Sequence, residues 1–373
     1  VNDRADRLAA RTLALVDIAS ESYDEAAILG WLRDHAPVGR AFVVADDHDA
    51  CLVHLPERRR QEASLVLLAG HVDTVPIAGN VPGRREGGDV VGRGAADMKA
   101  ALAVMLEVME AIATGALASD LDVGFLWFGR EEVSTDESAL LPLFARRPGL
   151  AEAALAVMME PTDNALEVGC LGNLNARVTV TGTAAHSARP WHGDNAIHGA
   201  IDALASIADL PVRDVTIDGL TYREVVNVTT IEGGIAANVI PDRAVATVNF
   251  RYAPNHTPEA AEVRIRELLG NRRAEVEILS NARPGPVTVR NPLVERLRVA
   301  GALDVRPKQA WTPVAEFAEV GVDAVNCGPG DPRYAHRDDE RVTVAALVRS
   351  FEVLAAFLSA GPSAGAAPEG MSA

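Results

Sequence analysis

Aromatic residues are scarce. They make up 4% of the 373 residues, so the core has to be built mainly from Val, Leu, Ala and Ile. A chain that is 48% hydrophobic has enough of them. Cysteine is nearly missing too. Cys51, Cys170 and Cys327 are odd in number and far apart, which excludes a disulfide framework or a paired-cysteine metal site and suits a reducing cytoplasm. No apolar run reaches the ~18 residues a membrane span requires. The stretch Val1 to Ala14 is interrupted by Asp3, Arg4, Asp6, Arg7 and Arg11, which is not the pattern of a signal peptide. Positive charge is in deficit: 35 basic against 52 acidic residues leave a net charge of −17. Such a surface repels phosphate backbones and anionic lipid, so neither nucleic acid nor a membrane is expected as a partner. The expectation is an acidic, cytoplasmic, globular protein of two or three domains.

What is present has a clear rhythm. Leu65 to Ala69 is a continuous apolar run, read as a buried strand leading into His71-Val-Asp73-Thr-Val-Pro76. A helix is predicted from about Met98 to Thr114, with Gly115 as its stop. Leu121 to Phe128 and Ala154 to Met159 read as further strands, running into Glu131-Glu132 and Glu160-Pro161. Strands alternating with helices predict an α/β fold with a mostly parallel sheet. From residue 174 the order changes to strand (174–182), helix (195–208), strand (225–231), strand (243–252), helix (258–269) and strand (274–279). That β-α-β-β-α-β series is the ferredoxin-like pattern. After Arg283-Pro-Gly-Pro286 the α/β character returns with a helix near 291–300, a strand at 322–326 and a closing helix from about Asp339 to Leu358. The predicted organisation is a catalytic domain in two parts, 1–172 and 284–360, interrupted by an inserted domain at 173–283. Residues 361–373, mostly Gly, Ala, Ser and Pro, are predicted to be a disordered tail.

The informative feature is where His, Asp and Glu fall. His71, the pair Glu131 and Glu132, and Glu160 each follow or end a predicted strand, and ligands bind at the carboxyl ends of parallel strands. Asp97 closes a Gly92-Arg-Gly-Ala-Ala-Asp97 loop ahead of a helix, and His336 precedes the final helix. A mixed set of imidazoles and carboxylates suits zinc, cobalt or manganese. It holds more protein ligands than one catalytic zinc takes, which fits two metals bridged by a carboxylate. Asp73 lies two residues after His71. In an extended segment the two point the same way, so Asp73 can accept the other imidazole N–H. Of the adjacent glutamates one need be a ligand, and the other is free to take a proton from water.

Five segments, His71-Val-Asp73-Thr-Val-Pro, Gly94-Ala-Ala-Asp97-Met-Lys, Glu131-Glu132-Val, Met-Glu160-Pro and Ala335-His336-Arg-Asp-Asp-Glu340, resemble the M20 family of metallopeptidases and N-acyl amidohydrolases. Within it, Ala185-His186-Ser-Ala-Arg189-Pro-Trp191, Asn238-Val-Ile-Pro-Asp242 and Asn326-Cys-Gly-Pro-Gly-Asp331 are most similar to succinyl-diaminopimelate desuccinylases of the actinobacterial type. The resemblance implies Asp97 as a bridge, His71 and Glu160 on one metal, and Glu132 and His336 on the other. It implies two divalent ions, zinc foremost with cobalt or manganese as alternatives. Glu131 would be the general base and Asp73 would orient His71. His186 would reach from the inserted domain into the partner subunit's site, in a homodimer joined through that domain. Arg251 and Asn238 resemble substrate-gripping residues, with Arg189 a further candidate. The implied substrate is a small N-acyl amino acid, N-succinyl-LL-diaminopimelate, with another acyl amino acid or a dipeptide as the alternative. One segment departs from the pattern: Trp311-Thr-Pro313-Val-Ala-Glu316-Phe317 stands where these desuccinylases read Trp-Thr-Asp-x-x-Arg-Phe. A non-catalytic binding protein on the same scaffold is argued against by the intact Glu131 and ligand set.

Overall fold

The computed structural model describes residues 2–39, 41–269 and 274–359; the expected tail lies outside them. The chain divides into two compact units. The first runs up to Glu167 and adds Thr288–Arg306 and the chain from Glu316 onward. The second is Val168–Val287 with Pro307–Ala315, so it takes in a short segment that the sequence reading assigns to the returning catalytic part.

The sheet associated with the first unit has eight strands in the order Phe42–His48, Cys51–Pro56, Asp122–Phe128, Leu65–His71, Leu155–Pro161, Ala324–Gly328, Leu166–Val168, Val305–Pro307. The four from Asp122–Phe128 to Ala324–Gly328 are mutually parallel, and an antiparallel hairpin closes one edge. Every residue of those four strands is buried, as continuous apolar runs must be when helices cover both faces of a parallel sheet. The expected mostly parallel α/β architecture is borne out.

The helix expected at 98–114 spans Lys99–Ala113, and Gly115 follows it at φ +76°, a left-handed position that glycine occupies without strain. The closing helix begins later than expected, at Val344. Arg341–Thr343 is instead a strand paired antiparallel with Asp89–Val91, and that pairing overrides the local helical preference. Two helices before the first strand, Asn2–Val16 and Ala26–His35, have no counterpart in the sequence reading. Two of the charges in the stretch Val1 to Ala14 have a structural use here. Arg7 and Arg11 reach across to the buried Glu107 of the helix Lys99–Ala113, at 2.7 and 2.6 Å.

The second unit is built on an antiparallel sheet in the order Arg213–Ile217, Leu220–Gly233, Arg243–Tyr252, Gly172–Thr181, Ala274–Ala282. With the helices Ala196–Ala208 and Pro258–Leu269, four of these strands form the expected ferredoxin-like pattern. Alternate residues of Arg243–Tyr252 are buried, and Leu174, Val178, Leu204, Phe250, Ile265 and Leu269 share one core cluster. The edge strand Arg213–Ile217 is additional. It returns through Asp218-Gly219, both at positive φ, the Asp-Gly hairpin turn.

Candidate metal centre

Three neighbouring parallel strands end at one rim. Leu65–His71 lies between Asp122–Phe128 and Leu155–Pro161 in the sheet, so the carboxyl ends of all three face the same way. His71 is the last residue of its strand and Glu160 the last but one of its own. Glu131 and Glu132 follow the third strand through Gly129 and Arg130, where Arg130 has φ +62°. Asp97 arrives on the turn before Lys99–Ala113, and His336, at φ +64°, on the loop beyond Ala324–Gly328.

These six side chains converge. His71 Nε2 lies 3.0 Å from Asp97 Oδ1 and 3.8 Å from Glu160 Oε1. His336 Nε2 lies 3.4 Å from Asp97 Oδ2 and 3.1 Å from Glu132. Asp97 therefore turns one oxygen to each histidine, the disposition a bridging carboxylate needs. Two overlapping sets, His71–Asp97–Glu132 and His71–Glu131–Glu160, each have donor atoms within 4.8 Å of one another.

Asp73 behaves differently from expectation. Its carboxylate stands 3.6 Å from His71 Nδ1, beyond hydrogen-bond range. Nδ1 instead lies 3.0 Å from the Asp73 main-chain oxygen, an acceptor that sets the ring tautomer equally well. The Asp73 carboxylate accepts the backbone N–H groups of Glu131 and Glu132, both at 3.1 Å, and the Ser22 hydroxyl at 2.8 Å. The strand ends at His71, so the i, i+2 rule no longer governs where Asp73 points.

Negative charge is in excess at this rim. Burial, and after it the charge of Glu160, push the Glu131 carboxyl well above the usual range. Burial opposes a charge on His71, yet the hydrogen bond to Asp97 and the charges of Glu131, Asp97 and Glu160 carry its pKa well above the ordinary value. Hydrogen bonds to Asp97 and Glu132 raise His336 to about 10. Asp97 is held below the usual carboxylate range despite burial, by its hydrogen bonds with His336 and His71. A carboxylate driven toward its neutral form beside others marks a site that gains from cations. The nitrogen and oxygen donors suit zinc, cobalt or manganese.

Within the second unit, His186 is exposed on a two-residue strand, paired with Val239. Its Nδ1 accepts the Ala188 N–H at 3.1 Å, which leaves the proton of the neutral ring on Nε2. Main-chain bonds hold the two other candidates beside it: Arg189 N–H donates to His186 O at 2.8 Å, and Ser187 N–H to Asn238 O at 3.0 Å. Arg251 is half-buried, and that burial lowers its pKa. It donates to Asn249 Oδ1 at 3.2 Å, and Asn249 in turn bonds Asn173 and Asn175 at 2.7 and 2.8 Å. Asn249 was not singled out from sequence; it is one polar residue on an alternating strand and carries no separate signal.

A peptidase dimerisation domain profile (M20_dimer) matches residues 168–277, and a profile of peptidase family M28 matches residues 52–164. The protein named DapE in Mycobacterium tuberculosis (strain ATCC 25618 / H37Rv) is 39% identical over 351 residues, covering 93% of this chain and 96% of its own. The succinyl-diaminopimelate desuccinylase of Corynebacterium glutamicum is 39% identical over 312 residues, covering 82% and 84%. The chain belongs to the M20 family. Solved structures agree on the fold. The M20 metallo-carboxypeptidase Sso-CP2 of Sulfolobus solfataricus matches with a TM-score of 0.75 at 18% identity, over 95% of this chain and 99% of that one. The YXEP protein of Bacillus subtilis, described as a dinuclear metal-binding peptidase of the M20 family, matches at 0.69 and 13%, over 96% and 98%.

The departure at Glu316 lies in a buried setting. Glu316 is 2% exposed, and neither carboxylate oxygen meets a donor in good geometry among the described residues. Burial pushes its pKa up to about 7, against the opposing pull of the Ser138 hydroxyl. The unfolded chain loses this proton near 4.5 and the folded chain near 7. Between those values the folded state binds more protons, so stability falls as pH rises and levels off above about 7. Glu316→Gln cannot ionise and escapes this loss. Its effect on unfolding free energy is expected to be more favourable at pH 8 than at pH 4 by about 3 kcal/mol. Urea midpoints of both proteins at the two pH values check this, and equal shifts would refute it.

Proposed function

We propose that this M20 hydrolase cleaves the amide of N-succinyl-LL-diaminopimelate to succinate and LL-diaminopimelate, using two divalent ions, zinc foremost. The observation that carries the reading is Asp97, with one oxygen toward His71 and the other toward His336. The 39% identity with desuccinylase relatives over most of the chain supports the substrate. In this reading His71 and Glu160 would hold one ion, Glu132 and His336 the other, and Asp97 would serve both. Ions bound there supply an acidified water and an electrophile for the amide carbonyl.

The remaining steps belong to side chains. Glu131, its backbone pinned by Asp73, takes the proton of the attacking water and passes it to the leaving amine. His186 offers its Nε2–H to the developing oxyanion, from the partner subunit of a homodimer joined through the second unit. Arg251, with Asn238 and Arg189, grips the substrate carboxylates by charge-assisted hydrogen bonds. The net charge of −17 makes such a local basic patch necessary for a polyanionic substrate. The reading carries a cytoplasmic location with it.

Glu316 favours a second reading, an M20 deacylase or dipeptidase with a different substrate, because an acid stands where the desuccinylase motif has a base. The deciding experiment is succinate release from N-succinyl-LL-diaminopimelate by zinc-loaded protein. Rapid release is expected. Absence of release from a protein that holds its metal would overturn the substrate and move the search to a panel of N-acyl amino acids and dipeptides.

A further inference from the structure

Glu340 closes the Ala335–Glu340 motif and has no part in the reading above. It is 1% exposed, although a glutamate. Its Oε1 accepts two successive backbone N–H groups, those of Ala96 and Asp97, each at 3.0 Å. Its Oε2 accepts Arg93 Nη1 at 3.1 Å, and the same nitrogen donates to Arg337 O at 3.2 Å. The Glu340 carbonyl takes the Gly92 N–H at 2.9 Å. The turn that presents Asp97 is thus tied at both ends to the turn that presents His336. Neither turn has the hydrogen bonds of a helix or strand to hold it, and Gly92, Gly94 and His336 all sit at positive φ.

We propose that Glu340 is a positioning residue for the metal centre, fixing Asp97 against His336 by its grip on the Ala96 and Asp97 amides, with Arg93 as the counter-charge that lets the carboxylate be buried. The inference rests on the proposed two-metal reading of the site. A bridging carboxylate has to be held to about 0.5 Å for two ions to share it. Apart from its contacts with His71 and His336, Asp97 is placed by its turn, and Glu340 accepts two successive amides of that turn, including that of Asp97 itself. Arg93 is 3% exposed, and a buried carboxylate stripped of its cation, or the reverse, is costly. The pair therefore has to be tested as a pair. Asp73 acts in parallel on the Glu131–Glu132 turn, so the turns carrying Asp97 and the two glutamates are both gripped through consecutive amides by a carboxylate outside the ligand set.

The test uses the full chain, stripped with a chelator and titrated with zinc in a calorimeter. In a double variant Arg93→Met with Glu340→Gln, one side-chain oxygen still accepts both amides and no charge is stranded. Zinc affinity is expected to stay within about 3-fold of wild type. In Arg93→Met with Glu340→Leu the acceptor is gone, and affinity is expected to fall about 10–100-fold, the usual loss when a group supporting a metal ligand is removed. Equal affinities in the two folded double variants would overturn the proposal. Should the Leu variant not fold, Glu340→Asp alone decides: withdrawing the carboxylate by one methylene should weaken zinc binding, and unchanged binding would overturn the proposal. A wild-type chain that binds no zinc would instead bring down the two-metal reading.

Discussion

Glu131→Gln is expected to lower the turnover number by about 10²–10⁴-fold, the contribution of a positioned general base, while the protein keeps its full metal complement. The amide is nearly isosteric, so the loss is one of proton affinity. Burial and the neighbouring Glu160 push the Glu131 carboxyl upward when the rim holds no cation, and cations at the rim would pull it back toward the ionised form that a proton acceptor needs. Glu131 also falls within one of the two clusters of donor atoms, with His71 and Glu160. Metal analysis of the variant therefore has to accompany the kinetics. A loss of one metal equivalent would make Glu131 a ligand, and near-normal turnover would remove it from the mechanism.

His186→Ala is expected to lower the turnover number by about 10²–10³-fold, the effect of removing one oxyanion donor. The Ala188 N–H donates to Nδ1, which leaves the Nε2–H free to donate. The variant should bind zinc as the wild type does, because His186 belongs to the second unit and not to the ligand set. Assignment to the partner's site has its own signature. Mixing inactive Glu131→Gln and His186→Ala proteins under conditions of subunit exchange should restore activity, since a hybrid dimer has one site with neither defect. No recovery from proven hybrids would place His186 in its own subunit's site, and full activity of His186→Ala would remove it from catalysis.

Much of this was legible in one dimension. His71, Glu131, Glu132 and Glu160 could be placed because a parallel sheet sends the residues that end its strands to one rim, whatever the details of packing. The ferredoxin-like series was legible because alternation at 243–252 and helical spacing at 258–269 differ in period. The Asp-Gly pair at 218–219 was a readable hairpin signal for the edge strand that the sequence reading passed over. The start of the last helix was not readable, because Arg341–Thr343 takes its structure from Asp89–Val91, about 250 residues away in the chain.

The same limit explains the residues that sequence reasoning left without a role. Arg93 and Glu340 act through backbone amides and carbonyls of segments remote in sequence, and Ser22 through the carboxylate of an equally remote Asp73; an amide carries no trace of its partner in the identity of its own side chain. Asp73 shows the point within a single residue. Its place beside His71 was evident, but whether carbonyl or carboxylate faces the ring depends on where the strand stops. Glu316 was visible as an acid in a basic position, while its burial, and with it a carboxyl that titrates near 7, follows from packing. By itself the sequence determined the kinds of donor, the order of the strands that carry them and the architecture, because these depend on residue type and local period. The tertiary structure alone decided which oxygen meets which nitrogen and which buried charges stand guard over the turns, because those depend on ångström-scale distances between segments that only folding brings together.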